Sequence, residues 1–346
     1  MRICYFGHPA HKWSGSSQFF EEILEGLGEV TYLRPDSVSV DDSLRWALEG
    51  DFDLYVFFQF DFLAYAFIEA RKNVVIVPMI DGSASYGIEH WHRLRMSKFV
   101  SFSPTLHTFL RLQGIDSFGI QYWPTVQTYE VPKSNTIYYW PRGHHQYISV
   151  QRILDATKNF PDINLKVRST DEPFSYLDYS RVQDSRLEIV EVKDKNEHLS
   201  QIKNASIFVA PRPSEGIGHS FLEAMSFGRA VIARKFPSMS NYISDKKTGV
   251  FLSRGEKRIS GNLDWIAIGK AAHLEVVKGR TEYLASIQSL SDYILKPQRL
   301  MKGKYRIKEV HNLLDLSSQI MRSQYFPKGK IATLQNFSNI TSTLKL

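Results

Sequence analysis

Short apolar runs recur along the first hundred positions. The first is followed by a polar loop that leads into apolar residues at helical spacing. The run 2–6 ends at Gly7 and a polar loop covers 8–17. Phe19, Phe20, Ile23, Leu24 and Leu27 then share one helical face, with Gly28 as the stop. Further runs at 30–33, 54–58, 74–77 and 99–102 predict strands, and 106–113 predicts a helix. Residues 128–135, with Pro132 and no helical period, read as a boundary. Beyond it the alternation resumes, with strands at 136–139, 165–167, 187–192 and 207–210 and helices at 148–156 and 199–204. A last helix is predicted over 281–295, ending near Pro297. Strands alternating with helices imply parallel sheets covered on both faces. The fold class is therefore α/β, with two doubly wound, Rossmann-like domains facing each other across a cleft. The two halves show no clear sequence repeat.

Ligands of open parallel sheets sit beyond the carboxyl ends of the strands, so the loops after strands carry the informative residues. Residues 211–231 read PRPSEGIGHSFLEAMSFGRAV and follow the apolar strand 207–210. Gly216 and Gly218 permit a tight turn and close backbone approach to a ligand. A helix follows, opening at His219, Ser220 or Phe221 and stopping at Gly228. The free N–H groups at such a start favour phosphate. Glu215 precedes the helix. Glu223 lies in its first turns among Phe221, Leu222, Ala224 and Met225, where an unpaired charge is costly and sugar hydroxyls would serve as donors.

Composition removes several classes of function. One Cys in 346 residues excludes an internal disulfide and a thiolate zinc site. Cys4, inside an apolar run, reads as a small buried hydrophobe in a reducing compartment. The most apolar stretch, 54–67, is broken by Gln59 and Asp61 and is too short to span a bilayer. No long apolar core of a leader opens the sequence, so a cytoplasmic protein is expected. His90 and His92 stand two apart on a probable helix and do not share a face, which makes them poor metal ligands. Trp123 and Trp140 read as core residues.

The formal net charge is +7, and residues 301–346 hold eight Lys or Arg against two acids, so the basicity belongs to a tail. No nucleic-acid module accompanies it, and no nucleic-acid partner is expected. Leu313, Leu314, Leu316, Ile320, Met321, Tyr325 and Phe326 give this tail an apolar face. Two readings follow. The tail packs back on the protein with its lysines solvated, or it lies on an anionic membrane surface.

The segment around Glu215 and Glu223 resembles the signature of the retaining GT-B glycosyltransferases of group 1 (family 4), a Glu, seven residues, then a Glu in a Pro-Ser and Gly-rich setting. The flanks NASIFVA (204–210), EAMSFGRAVIA (223–233) and SNYISDKKTGVFL (240–252) resemble the surrounding family segments. The resemblance implies a GT-B fold, with an acceptor-side domain over 1–130, a nucleotide-sugar (donor) domain over 131–300 and the basic tail over 301–346. It implies an enzyme of hexosyltransferase type. Such an enzyme moves a sugar from a nucleotide-diphosphate sugar to a saccharide or lipid-linked saccharide, with retention at the anomeric carbon. The setting implied is bacterial-type surface polysaccharide or lipopolysaccharide synthesis, with the protein cytoplasmic or peripheral on the inner face of the membrane. No metal and no other cofactor is implied, and no Asp-x-Asp motif stands in a suitable loop.

Residue by residue, the resemblance places Glu215 and Arg142 at the reaction and Glu223 on the ribose hydroxyls. The stretch Gly216, Ile217, Gly218, His219 and Ser220 would contact sugar and diphosphate. Gly15 and Ser16 fall where the family often has a glycine pair near the phosphates. Arg212 is a further donor-side cation, and Asp81 and His144 stand on the acceptor or sugar side. Asp81 equally suits a helix cap, because Asp-Gly-Ser precedes a helical pattern. The sequence departs from the family at three points. Tyr147 stands near the place of an expected lysine, Ile80 replaces a histidine before Asp81, and Asn241 takes the place of a glutamate. These losses motivate an alternative, a non-catalytic glycosyltransferase-like binding or scaffold subunit. An oxidoreductase is disfavoured, since the loop 8–17 has no Gly-x-Gly-x-x-Gly.

Overall fold

A computed structural model describes all residues except 37, 142–147, 170–180, 211, 213–214, 253–257, 260, 299–306 and 325–346. Among the described residues, twelve strands form two six-stranded sheets in which every pairing is parallel. The chain divides into two compact units. One contains residues 1–120 and the described residues from 286 on; the other contains residues 121–285.

The first unit opens with β1 (Arg2–Phe6), α1 (His11–Ser14), α2 (Gln18–Glu25), β2 (Glu29–Leu33), α3 (Val40–Glu49) and β3 (Leu54–Phe58). A 3-10 turn (Asp61–Ala64), α4 (Tyr65–Glu69), β4 (Val74–Val77), α5 (Ile80–Ser83) and α6 (Ile88–Leu94) follow. The run closes with β5 (Lys98–Ser101), α7 (Pro104–Leu112) and β6 (Ser117–Gly119). The strand order is β2-β1-β3-β4-β5-β6, so direction reverses between β1 and β3. Strands covered on both faces read as unbroken apolar runs rather than alternating ones. β3 and β4 obey this, with every residue buried.

The second unit contains β7 (Thr136–Tyr139), α8 (Val150–Ala156), β8 (Asn164–Arg168), β9 (Leu187–Val190), α9 (Lys195–Asn204) and β10 (Ile207–Val209). Then come α10 (His219–Ser226), β11 (Ala230–Ala233), α11 (Met239–Tyr242) and β12 (Gly249–Phe251). Its order is β12-β11-β10-β7-β8-β9, with the reversal between β7 and β10. Ile137, Tyr139, Leu165, Val209, Ile232 and Ile268 share its core. Arg229 is buried there and donates to the carbonyls of Phe227, Ala205 and Glu130, which fixes the turn after α10.

The chain continues through α12 (Trp265–Leu295) and α13 (Ile307–Gln324). α12 runs 31 residues, so the helix expected over 281–295 is only its last half. Two glycines mask the earlier half in the sequence. A Cβ on Gly269 would lie 2.2 Å from the Gly228 carbonyl oxygen, and one on Gly279 would lie 2.1 Å from the Trp123 ring. Both positions need a bare backbone for close packing. The end of α12 belongs to the first unit. There the buried Lys98 ammonium donates to the carbonyls of Ile294 and Lys296, capping the helix. Burial pulls the Lys98 pKa down to about 8.

The units therefore differ from the expected ranges 1–130 and 131–300. The crossover falls at residue 120, and the chain returns to the first unit at 286. Within the tail, α13 buries Val310, Leu314, Leu316, Ile320 and Met321 in the first unit's core, and Ser317 Oγ donates to the Phe62 carbonyl at 2.9 Å. Leu313 packs partly buried against the same core. Of the two readings of this apolar face, α13 adopts the one in which it docks on the protein, because one helical stripe of large side chains is worth more buried than solvated. Tyr325 and Phe326 lie outside the described residues.

Candidate active site

The crevice of a doubly wound sheet opens where strand order reverses. In the second unit that point lies between β7 and β10, so the loops following those two strands border it. The loop after β10 carries Arg212, Glu215, Gly216, Ile217 and Gly218, and α10 starts directly behind it. Arg142 and His144, in the loop after β7, lie outside the described residues, as does Tyr147.

Gly218 is the pivot. It forms the N-cap of α10 with φ at +85°, in the left-handed region. A Cβ there would fall 1.9 Å from Phe221 Cε1, so both backbone and packing demand glycine. Among the described residues no side chain caps α10, and its first turn holds no acid. Its opening N–H groups, from His219 and Ser220 onward, therefore present positive potential toward the loop. Ile217 is buried, while Gly216, His219 and Ser220 keep partial exposure. The His219 ring lies 4.8 Å from the Tyr122 ring, and Tyr122 in turn meets Tyr283 at 5.5 Å.

Glu215 is only 9% exposed, and its carboxylate lies 3.7 Å from the Arg212 guanidinium. Its backbone carbonyl accepts from the Ser238 hydroxyl. The residue is therefore held at both ends. Glu223 sits one turn into α10, half-buried between Leu222, Ala224 and Met225, all of which are fully buried. Desolvation pushes its carboxyl above the ordinary glutamate value, and the nearby Lys195 ammonium opposes this. A half-buried carboxyl in that condition gains from hydroxyl donors. Asn241 is on α11, where Gln121 donates to its carbonyl at 2.9 Å.

In the first unit, Gly15 and Ser16 follow β1, beside the reversal between β1 and β3. Gly15 is the left-handed C-cap of α1, with φ at +63°, and its N–H bonds the His11 carbonyl. Asp81 is in the first turn of α5, whose N-cap is Met79, so Asp81 does not act as the cap. Trp123 is core, as expected. Trp140 is not, being half-exposed at the end of β7.

Two side-chain groups escaped the sequence reading. The first is a buried chain in the first unit. Asp61 Oδ2 lies 2.9 Å from His90 Nε2, and His90 Nδ1 lies 2.5 Å from the Tyr65 hydroxyl. His90 is thus a satisfied core histidine. The second is the contact of Trp140 with Arg168 and His198 in the second unit. Neither group has a sequence signal, since each joins residues of separate elements, His90 to Asp61 and Tyr65 in one and Trp140, Arg168 and His198 in the other. Among the described residues, no group of three or more His, Cys, Asp or Glu is arranged to hold a metal ion, and no helix is long and apolar enough to cross a membrane.

Residues 143–270 match the family described as Glycosyl transferases group 1. This match lies wholly within the second unit. The matched stretch takes in Glu215, Gly218 and Glu223. No curated protein sequence matches the chain. Among solved structures, HepE (Alr3699) of Anabaena, determined with UDP-glucose, is 13% identical with a TM-score of 0.55, covering 84% of this chain and 100% of that one. Sucrose-phosphate synthase (tll1590) of Thermosynechococcus elongatus is 12% identical at a TM-score of 0.56, covering 99% and 100%. The lipopolysaccharide outer core galactosyltransferase WaaB in its apo form is 15% identical at 0.56, covering 92% and 99%. With the two parallel sheets, these likenesses show a GT-B fold.

Proposed function

We propose that the chain is a retaining glycosyltransferase of hexosyltransferase type. It moves a sugar from a nucleotide-diphosphate sugar to a saccharide or lipid-linked saccharide in surface polysaccharide or lipopolysaccharide synthesis. The observation that carries this reading is the left-handed Gly218 opening an uncapped α10 between Glu215 and Glu223, at the reversal of the second sheet. That a GT-B neighbour was solved with UDP-glucose, and another is a galactosyltransferase of the lipopolysaccharide outer core, supports the donor and acceptor classes.

In this reading the diphosphate sits at the start of α10, where fixed N–H groups meet the charge that grows as the nucleoside diphosphate departs. Such fixed donors lower the barrier more than they stabilise the bound substrate. Glu223 takes the ribose hydroxyls. Glu215, steadied by Arg212 and Ser238, holds the transferred sugar, and the family resemblance assigns Arg142 to the leaving phosphates. The acceptor oxygen attacks the anomeric carbon on the face the leaving group vacates. The bond from that carbon to the phosphate oxygen breaks, and the departing phosphate oxygen takes the acceptor proton. No side-chain base and no metal is required, because Arg142, Arg212 and the helix start supply the positive potential. The family resemblance assigns Asp81 and His144 to the acceptor or sugar side and Gly15 and Ser16 to the phosphates.

The test is donor hydrolysis and transfer by wild type and Glu215→Ala, with and without EDTA. Loss of turnover in the variant, with EDTA harmless, supports the proposal. Undiminished turnover removes Glu215 from the site. Ile80, standing where the family has a histidine, favours as a second reading a binding or scaffold subunit; nucleotide binding with no turnover toward any acceptor would select it.

A further inference from the structure

The donor chemistry uses nothing from the far end of the first sheet, yet a cavity of about 370 Å³ opens there. Its walls come from α4, α6, the turn after α6, and α13. Glu69 ends α4 ahead of β4, and Arg95 and Met96 stand just before β5. The cavity therefore lies toward the amino ends of these strands, away from the crevice at their carboxyl ends. Its volume is that of a small-ligand site.

Tyr65, Ile68, Met96 and Leu313 form the apolar part of the lining. The Tyr65 ring is fixed there, because its hydroxyl lies 2.5 Å from His90 Nδ1 and His90 Nε2 lies 2.9 Å from the Asp61 carboxylate. The buried chain that the donor chemistry leaves without a role thus makes this wall rigid. A wall set before binding spares a ligand the cost of ordering it.

Charge decides what fits. Glu69, Glu89, His92, Arg93 and Arg95 complete the lining. Glu89 and Arg93 are four positions apart on α6, the spacing and order at which an acid and a cation usually pair. Here they do not. The Arg93 guanidinium instead lies 6.0 Å from the centre of the Tyr65 ring. Among the described residues, Glu89, Arg93 and Arg95 enter no ion pair. A carboxylate and two guanidinium groups therefore border one space without neutralising each other. A simple anion would be repelled by the acids and a simple amine by the arginines. The matching occupant carries both signs, about one helical turn apart. Guanidinium forks suit phosphate, and a carboxylate suits ammonium. Phosphoethanolamine separates its ammonium and phosphate by a two-carbon link, whereas an α-amino acid holds its charges closer together.

We propose that this cavity is a second binding site, for an amine-bearing phosphate ester of the phosphoethanolamine type, free or as a lipid head group. The phosphate meets Arg93 and Arg95, the ammonium meets Glu89, and the rest of the molecule lies on Tyr65, Ile68 and Leu313. The site is independent of the donor reading of α10.

Calorimetric titration of the full chain with phosphoethanolamine, and with glycerol phosphate, which lacks the amine, tests it in wild type, Arg93→Gln, Arg95→Gln and Glu89→Gln. Wild type should bind phosphoethanolamine the more tightly. Arg93→Gln and Arg95→Gln should each weaken it about tenfold, the usual worth of a hydrogen bond to a charged group. Glu89→Gln should weaken phosphoethanolamine by about as much and leave glycerol phosphate no weaker. All three positions are at least partly exposed, so melting should stay at the wild-type temperature. Flotation with vesicles of phosphatidylethanolamine and phosphatidylcholine at high salt separates the two sources. Flotation that Arg93→Gln abolishes assigns the site to the lipid, and titration without such flotation assigns it to the free ester. Phosphoethanolamine bound no more tightly than glycerol phosphate, or held equally by wild type and all three variants, overturns the site. Wild type that binds neither the free ester nor the vesicles overturns it as well.

Discussion

The Arg212 guanidinium lies 3.7 Å from the Glu215 carboxylate, three positions away in the same loop, and Glu215 is almost wholly buried. Arg212 is partly exposed, so the pair is an anchor for the carboxylate more than a source of stability. Removing the cation leaves a buried carboxylate without its charge partner and weakens the field on the leaving phosphates. Arg212→Ala should therefore lower turnover by about 100-fold while changing the unfolding midpoint little. Steady-state kinetics and thermal melting on the same preparation check both halves of this expectation.

Gly218 resists replacement on two counts. Gly218→Ala combines a left-handed backbone with a 1.9 Å clash against Phe221. It should cost on the order of 1–3 kcal/mol and abolish nucleotide binding, because the start of α10 must shift. Gly15→Ala has the same sign of φ and no neighbour nearer than 3.7 Å, so about 1 kcal/mol is expected. Gly82→Ala, with open space around it, should be close to neutral. Urea unfolding curves rank the three.

Glu223 makes binding and stability respond to pH in opposite directions. Its folded pKa is raised by desolvation, so the native state keeps the proton longer than the unfolded chain does. Stability of the free protein should fall as pH rises from the ordinary glutamate value through the raised one. Nucleotide affinity should rise over the same window, because the ionised carboxylate is the form that accepts from ribose hydroxyls. Glu223→Gln should flatten both profiles. Calorimetry and melting at stepped pH give the two curves.

The C-terminal helix is part of the first unit's core. Leu314, 3% exposed, packs there with Ile320 and Met321. Leu314→Ala should destabilise the protein by about 2–5 kcal/mol. Because Val310, Leu314, Leu316, Ile320 and Met321 are engaged in the first unit's core, a hold of α13 on an anionic membrane rests on its basic side chains, and such binding is screened by salt. Co-sedimentation with vesicles rich in anionic lipid should disappear as salt is raised. Salt-resistant binding would require another apolar contact.

Much of the fold was legible because buried parallel strands are continuous apolar runs. β1, β3, β4 and β7 declare themselves in this way. β6 does not, since Ser117–Gly119 has one large apolar residue and lies at a sheet edge. α3 was missed for a similar reason, with only Val40, Leu44 and Ala47 buried along it. The first half of α12 hides behind Gly269 and Gly279, glycines placed for packing and not for turning. The domain boundary is a fact of tertiary contact. Nothing local tells that Lys98 will cap a helix almost two hundred residues later. In the site, the spacing of Glu215, Gly218 and Glu223 was legible because one loop and one helix carry all three. The Arg168 stack on Trp140 and the Asp61–His90–Tyr65 chain were not, because each joins separate elements.

The most direct measurement is a crystal structure of the protein soaked with a nucleoside-diphosphate sugar that it binds. The diphosphate should lie on the backbone N–H groups that open α10, with the ribose on Glu223 and the sugar against Glu215. A donor bound elsewhere, with both carboxyl groups turned from it, would contradict the account.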